Sequence, residues 1–411
     1  MSPYLGFRVF GLALILVLST FHRIDLSTSH PSNPVPPIAG ARRPFRMLVL
    51  GDSVMWGQGL KTEHKLSYQV RDWICAQRNN GTCANPDDVD IYVEAHSGAV
   101  IAKPDVKDQK EEERFTRSTF PVRFPGEVNN AYPTVWGQVD LARRYYTENL
   151  IPLEEVDLII VNGGINDMGP TKILIPKPFE RKITEDAKEF CGTAMEAVLK
   201  KIVRAFPNAR IIVPGYFPLV SLKTPPKILL QTILAAIKGA KEENAEVADD
   251  GSNPRPNPLV KRLAARSTEW TVASNDALEK AVANLNSGES RLPIGNHPGA
   301  PPQASLRAQF VSVEFKPENA YGPKETFLWK LVGREPNTEL ECADKNILGK
   351  LIVGDELQVH ERPCMCDQAG RRNNIVCLRA GAFHPNTEGA KAYFRAIKSK
   401  LERILPFVGW T

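Results

Sequence analysis

The feature that most limits what this chain can fold into is its alternation of short apolar runs with helical patterns. Phe45–Leu50 (FRMLVL) and Val156–Val161 (VDLIIV) are nearly continuous hydrophobic hexapeptides, the pattern of strands buried on both faces. Asp90–Glu94 (DIYVE), Ala209–Pro214 (ARIIVP) and Phe310–Phe315 (FVSVEF) are three further strand candidates. Helical spacing separates them. Lys65–Gln77 carries Leu66, Val70, Trp73 and Ile74, Thr193–Ala205 follows, and Glu388–Leu405 sets Tyr393, Ile397, Leu401 and Ile404 on one face. Strands that alternate with helices argue for an α/β fold in three layers, α/β/α, around a central parallel five-stranded sheet. With the strand order 2-1-3-4-5, the first and third strands are neighbours at the switch point, where open sheets of this kind build their sites.

The flanks read differently. Val9–Phe21 (VFGLALILVLSTF) is an unbroken apolar run after Arg8, too short for a comfortable membrane span but suited to the core of a signal peptide. Residues 1–26 are therefore expected to be a signal peptide or short anchor, with membrane association possible through residues 9–21. Residues 27–44 read as a Pro/Ser-rich linker, and 45–405 as one domain. Inside it, an irregular insertion is expected around 222–308, although Pro225–Glu246 and Ser274–Leu285 look helical and Asp249–Pro258 looks like a linker. A Cys-containing loop region is expected around 316–379. The expected location is secreted, periplasmic or anchored outside the cytoplasm. A net charge of +5 over 411 residues is too mild and too spread out for a nucleic-acid partner.

Seven cysteines fit an exported chain: Cys75, Cys83, Cys191, Cys342, Cys364, Cys366 and Cys377. Cys75 and Cys83 flank a polar segment that reads as a small disulfide-closed turn, and Asn80-Gly81-Thr82 within it is a glycosylation sequon. A metal site from His360, Cys364, Cys366 and Cys377 is the competing idea. The Cys-x-Cys spacing suits structural zinc poorly, so disulfides are expected, with one cysteine left over.

Four short blocks carry the chemistry. Gly51-Asp52-Ser53 directly follows the first strand, which puts a serine at the carboxyl edge of the sheet. Alone, such a tripeptide is a common loop. Ser97-Gly98-Ala99 follows the second strand, where a glycine lets the backbone offer its N–H at close range. Gly163-Gly164-Ile165-Asn166-Asp167 ends the third, so Asn166 is expected beside Ser53, as an acyl-transfer site requires of an amide that holds a developing oxyanion. Phe383-His384-Pro385-Asn386 precedes the last helix, fixes His384 at its start and makes it the natural general base. Trp56 and Trp136 are candidates to pack against an acyl chain or a sugar ring, and equally to be core.

Together these blocks, in this order, resemble those of the SGNH (GDSL) hydrolase superfamily over Phe45–Ser221 and Phe310–Leu405. The resemblance implies a flavodoxin-like fold and a serine esterase acting on a carboxylic ester of a lipid, a small acyl group or an acetylated carbohydrate. It implies that Ser53 attacks the ester, that His384 moves the proton, and that the Ser53 and Gly98 N–H groups with the Asn166 amide form the oxyanion hole. Asp52, Gly164 and Asp167 take supporting roles. No metal or organic cofactor is implied. One position departs from the family: Gly381 stands where an Asp three residues before the histidine usually orients it. Either a backbone carbonyl takes that role or an acid such as Glu361 or Asp367 does. Losing such an acid can cost on the order of 10⁴ in turnover, so a non-catalytic binding module is one alternative and an acyltransferase on the same scaffold another.

Overall fold

Five strands pair side by side, all parallel, in the order β2-β1-β3-β4-β5. The computed structural model describes residues 42–101, 126–174, 182–230, 257–288, 306–330, 354–370 and 375–405. The expected signal segment and most of the linker lie outside them. In chain order the elements are β1 (Phe45–Leu50), α1 (Ser53–Trp56), α2 (Leu66–Arg78), β2 (Val89–Val93), α3 (Val135–Glu148), β3 (Val156–Val161), α4 (Ile165–Met168), α5 (Ile183–Ala187), α6 (Met195–Ala205), β4 (Arg210–Pro214), α7 (Pro258–Ser287), β5 (Ala308–Val311), α8 (Glu356–Gln368), α9 (Ile375–Leu378) and α10 (Thr387–Ile404).

The inner strands are buried along nearly their whole length because helices cover both faces. Right-handed crossovers dictate which helices go where. The step from β1 back to β2 puts α2 on one face, and the forward steps put α3, α6 and α7 on the other. α10, following β5, returns to pack on α2, while α7 packs on α6 and β5. The fold is therefore α/β/α with the expected strand order. Every strand presents its carboxyl end, and hence its following loop, to one edge.

Several boundaries move. β5 ends at Val311, not Phe315. The alternation of buried Val313 with exposed Ser312 and Glu314 continues, but β4 stops at Pro214 and leaves the chain beyond Val311 no partner. α3 carries no signal that the sequence reading used. The segment 222–308, read as an irregular insertion, contains the 30-residue α7. Its N-cap Asn257 accepts from Leu259 N and Pro258 is its first residue, so the apparent end of a linker is a helix start. Small buried residues such as Ala264, Ser267, Ser274 and Ala277 dilute its apolar stripe and hide its first half. Of Pro225–Glu246, residues 226–230 are helical and residues 231–246 lie outside the described residues. The loop region 316–379 holds α8, which keeps helical form across an internal Pro363, and α9.

Cys75–Cys83 and Cys366–Cys377 are disulfides, and Cys364 is also disulfide-bonded. Those thiols are thus not available as zinc ligands, and among the described residues Cys191 is free and buried. Asn80 is exposed, at φ 56°, within the Cys75–Cys83 loop. Among the described residues no helix is long and apolar enough to cross a membrane.

Candidate active site

Ser53 opens α1, immediately beyond the carboxyl end of β1. Asp52 caps that helix: Oδ1 accepts Val54 N–H at 2.9 Å and Oδ2 accepts the Tyr216 hydroxyl at 2.7 Å. Burial raises the pKa of the Asp52 carboxyl, and the Tyr216 hydrogen bond opposes that rise. Behind it, Gln138 clamps Gly51, accepting its N–H at 2.7 Å and donating to its carbonyl at 2.9 Å.

His384 reaches the serine from the far end of the chain. Its Nε2 lies 2.7 Å from Ser53 Oγ, and its Nδ1 lies 3.1 Å from the Ala382 carbonyl. A carbonyl only accepts, so Nδ1 carries the proton and Nε2 is left to accept from the serine hydroxyl. The backbone of this loop is held on both sides: Trp329 N–H donates to the His384 carbonyl at 2.9 Å and Phe383 N–H to the Trp329 carbonyl at 3.2 Å. Phe383 takes a left-handed φ of 65° and stacks on Tyr321 at 4.1 Å. Burial pulls the pKa of His384 down to about 4, against the opposing effects of the Ala382 carbonyl and Glu127. At neutral pH the imidazole is the free base. Among the described residues, neither Glu361 nor Asp367 hydrogen-bonds the ring; the position opposite Nδ1 belongs to Ala382.

The loops after β2 and β3 are stitched to the serine turn and to each other. His96 N–H donates to the Gly51 carbonyl at 3.0 Å. Both carboxylate oxygens of Asp167 accept Ile101 N–H, at 3.1 and 3.0 Å, and Asn166 Nδ2 donates to the Ala99 carbonyl at 3.0 Å. Asn166 keeps a second amide hydrogen, and the N–H groups of Ser53 and Gly98 meet no acceptor among the described residues. Gly98 is at φ 82°, and a Cβ there would stand 1.8 Å from Asn129 Oδ1. Gly164, at φ 121°, would bring a Cβ within 2.5 Å of Sγ of Cys191, which lies in a π-helical turn over Lys188–Ala194.

Four blocks distant in sequence thus meet along the carboxyl edge of a 2-1-3-4-5 parallel sheet, with serine and histidine in hydrogen-bond contact. This is the arrangement that the resemblance of those blocks to the SGNH superfamily implies. No protein-family model and no curated protein sequence matches it. Among solved structures, the chain is similar to a phospholipase A1 from Streptomyces albidoflavus (12% identity, TM-score 0.39, covering 88% of this chain and 100% of that one). It is similar to an extracellular lipase from Streptomyces rimosus (12%, 0.39, 86% and 99%) and to a carbohydrate esterase family 2 enzyme with a carbohydrate-binding domain from Corynascus thermopiles (13%, 0.36, 91% and 69%).

Tyr216, Gln138 and Glu127 escaped the sequence reading. Tyr216 follows the fourth strand at the same edge, a position that flags it in hindsight. Glu127 has no such mark, yet its carboxylate accepts the Trp56 indole N–H at 2.7 Å and Gly59 N–H at 2.8 Å. Trp56 is therefore committed to this contact and to Lys65, whose ammonium lies 3.5 Å from its ring centre. Trp136 is 36% exposed on α3, with Lys201 over its ring at 4.3 Å.

Proposed function

We propose that this SGNH-type chain is a serine hydrolase of carboxylic esters that works through an acyl intermediate on Ser53. The reading is carried by the 2.7 Å contact between Ser53 Oγ and the unprotonated Nε2 of His384. A serine hydroxyl is a weak nucleophile until a base takes its proton. With Nδ1 fixed by the Ala382 carbonyl, Nε2 does so as Oγ attacks the ester carbonyl. The developing oxyanion is met by the Ser53 and Gly98 N–H groups and the second hydrogen of Asn166, donors that cost no reorganisation as charge builds. His384 then returns the proton to the leaving alcohol. Water then attacks the acyl carbon as it loses a proton to the same imidazole. His384 returns that proton to Ser53 Oγ as the bond to the acyl group breaks and the acid leaves.

A carbonyl in place of a carboxylate supplies the orienting half of that partner's role but not the negative charge that steadies an imidazolium. Turnover is therefore expected to be slower than a full triad allows. The expected location, outside the cytoplasm, is supported by the disulfides Cys75–Cys83 and Cys366–Cys377, since such bonds persist in oxidising compartments. Hydrolysis of p-nitrophenyl esters of graded acyl length by the wild type, Ser53→Ala and His384→Ala tests the reading. Activity that both substitutions reduce to background supports it. Equal inertness of all three over the whole panel rejects hydrolysis of simple esters.

A further inference from the structure

Glu127 and Arg362 form an ion pair at 2.5 Å in which both side chains are shut off from solvent, 1% and 0% exposed. Taking two charges out of water is costly, and their mutual attraction often recovers no more than that cost. Stability alone is thus a poor reason for the pair. Its hydrogen bonds point elsewhere. Glu127 Oε1 accepts Gly59 N–H at 2.8 Å and Gln58 Nε2 at 3.1 Å, and Oε2 accepts the Trp56 indole. Those residues end and follow α1, the turn that presents Ser53. On the other side Arg362, in α8, donates to the Leu378 carbonyl at 3.3 Å, on the segment that runs into His384.

Two further ties reinforce the same junction. The Cys366–Cys377 disulfide joins α8 to α9 beside both ends of the Arg362 contact. Asp355, just before α8, donates its N–H to the Gly59 carbonyl at 2.7 Å and accepts Lys61 N–H at 3.0 Å. The nucleophile turn and the histidine loop, separated by most of the chain, are fastened to one buried salt bridge.

We propose that the Glu127–Arg362 pair is the positioning device that holds His384 against Ser53 where this chain has Gly381 in place of an orienting acid. The inference rests on the catalytic reading of Ser53 and His384. Of the charged groups packed here, Glu127 favours the protonated imidazole and Arg362 disfavours it. Lys65, between Glu127 and Glu361 in influence, lies against Trp56. Ser53 and the carbonyls of Gly381 and Ala382 complete the neutral surroundings.

The test uses the whole chain and a fluorophosphonate probe. Ser53 Oγ bonds to phosphorus, fluoride leaves, and His384 takes the proton, so labelling reads the pair without any substrate. Labelling rate is followed from acid to neutral pH for wild type, Arg362→Met, Glu127→Gln and the double variant. Each single substitution is expected to slow labelling by about 10- to 100-fold, the scale of a 1 Å misplacement. The acid midpoint is expected to rise in Arg362→Met and fall in Glu127→Gln, and to return toward wild type in the double variant. Arg362→Met leaves Glu127 its donors from Trp56, Gln58 and Gly59, and the double variant removes both charges of the pair together, so these two are expected to stay folded. Rates within twofold of wild type in the folded variants overturn the proposal, as does a slower single variant whose midpoint has not moved. A wild type that labels at no pH instead brings down the Ser53–His384 chemistry itself.

Discussion

The hydroxyl of Tyr216 donates to Asp52 Oδ2 at 2.7 Å, so the residue beside Ser53 is steadied from the end of β4. The same phenolic oxygen accepts Ile165 N–H at 3.4 Å, which draws the loop after β3 into the arrangement. Three strands thus share one hydroxyl beneath the site, and its removal is the first change to make.

Tyr216→Phe is expected to destabilise the fold by about 1–3 kcal/mol, the cost of a buried acceptor left short of a donor. The effect depends on pH. Burial holds the Asp52 pKa above its ordinary value, so between the two values the folded chain keeps a proton that the unfolded chain releases. Stability therefore falls as pH rises through that window. Removing the hydrogen bond pushes the folded value higher still, so the loss becomes larger and extends further. Urea denaturation of both proteins across pH 4–8 measures it, and parallel curves for the two proteins refute it.

The pH–rate profile of ester hydrolysis is expected to keep its plateau well below the usual histidine range. With the His384 pKa near about 4, Nε2 is free to accept a proton over most of the mildly acidic range, and kcat/KM falls only as the imidazole protonates. An acid limb centred near the unperturbed value of about 6.5 contradicts the partly buried, neutral base. The same shift works on stability: between the two values the unfolded chain binds the proton more readily, so stability falls as pH drops through that range.

Gln138→Leu removes both halves of the clamp on Gly51. The Gly51 carbonyl keeps His96 N–H, but Gly51 N–H loses the acceptor it holds at 2.7 Å. A loss of about 1–3 kcal/mol is expected, accompanied by slower turnover because the affected residue lies two positions before Ser53. Gln138→Glu, which this buried site keeps protonated, retains an acceptor for Gly51 N–H and a donor for Gly51 O and is expected to lose less. Chemical denaturation beside steady-state kinetics checks both, and equal losses in the two variants count against the clamp.

Gly164→Ala is expected to reduce both stability and activity, since its Cβ would meet Cys191 Sγ at 2.5 Å and the backbone stands at φ 121°. Cys191→Ala makes room for the methyl group but does nothing for the dihedral. The double variant is therefore expected to recover part of the loss, with a coupling of about 0.5–3 kcal/mol in a double-mutant cycle. Additive effects reject the contact as the cause.

What the sequence determined by itself is the sheet and the address of each block on it. Phe45–Leu50 and Val156–Val161 are so continuously apolar that only burial on both faces suits them, and the segments after them had to emerge at one edge. Ser53, Gly98, Asn166 and His384 were legible because each adjoins a strand end or a helix start, which local patterns mark. The tertiary structure decided how they are held. That Ala382 O rather than Glu361 or Asp367 faces His384 Nδ1 depends on the left-handed Phe383 and on Trp329 pairing with the loop. That Gln138 grips Gly51, Tyr216 steadies Asp52, and Glu127 meets Arg362 depends on contacts between residues 87, 164 and 235 positions apart. The apolar period of a strand or helix reports which face is buried, because burial repeats with the backbone. A buried polar partner occurs once, repeats with nothing, and is fixed only when the fold brings its donor and acceptor together.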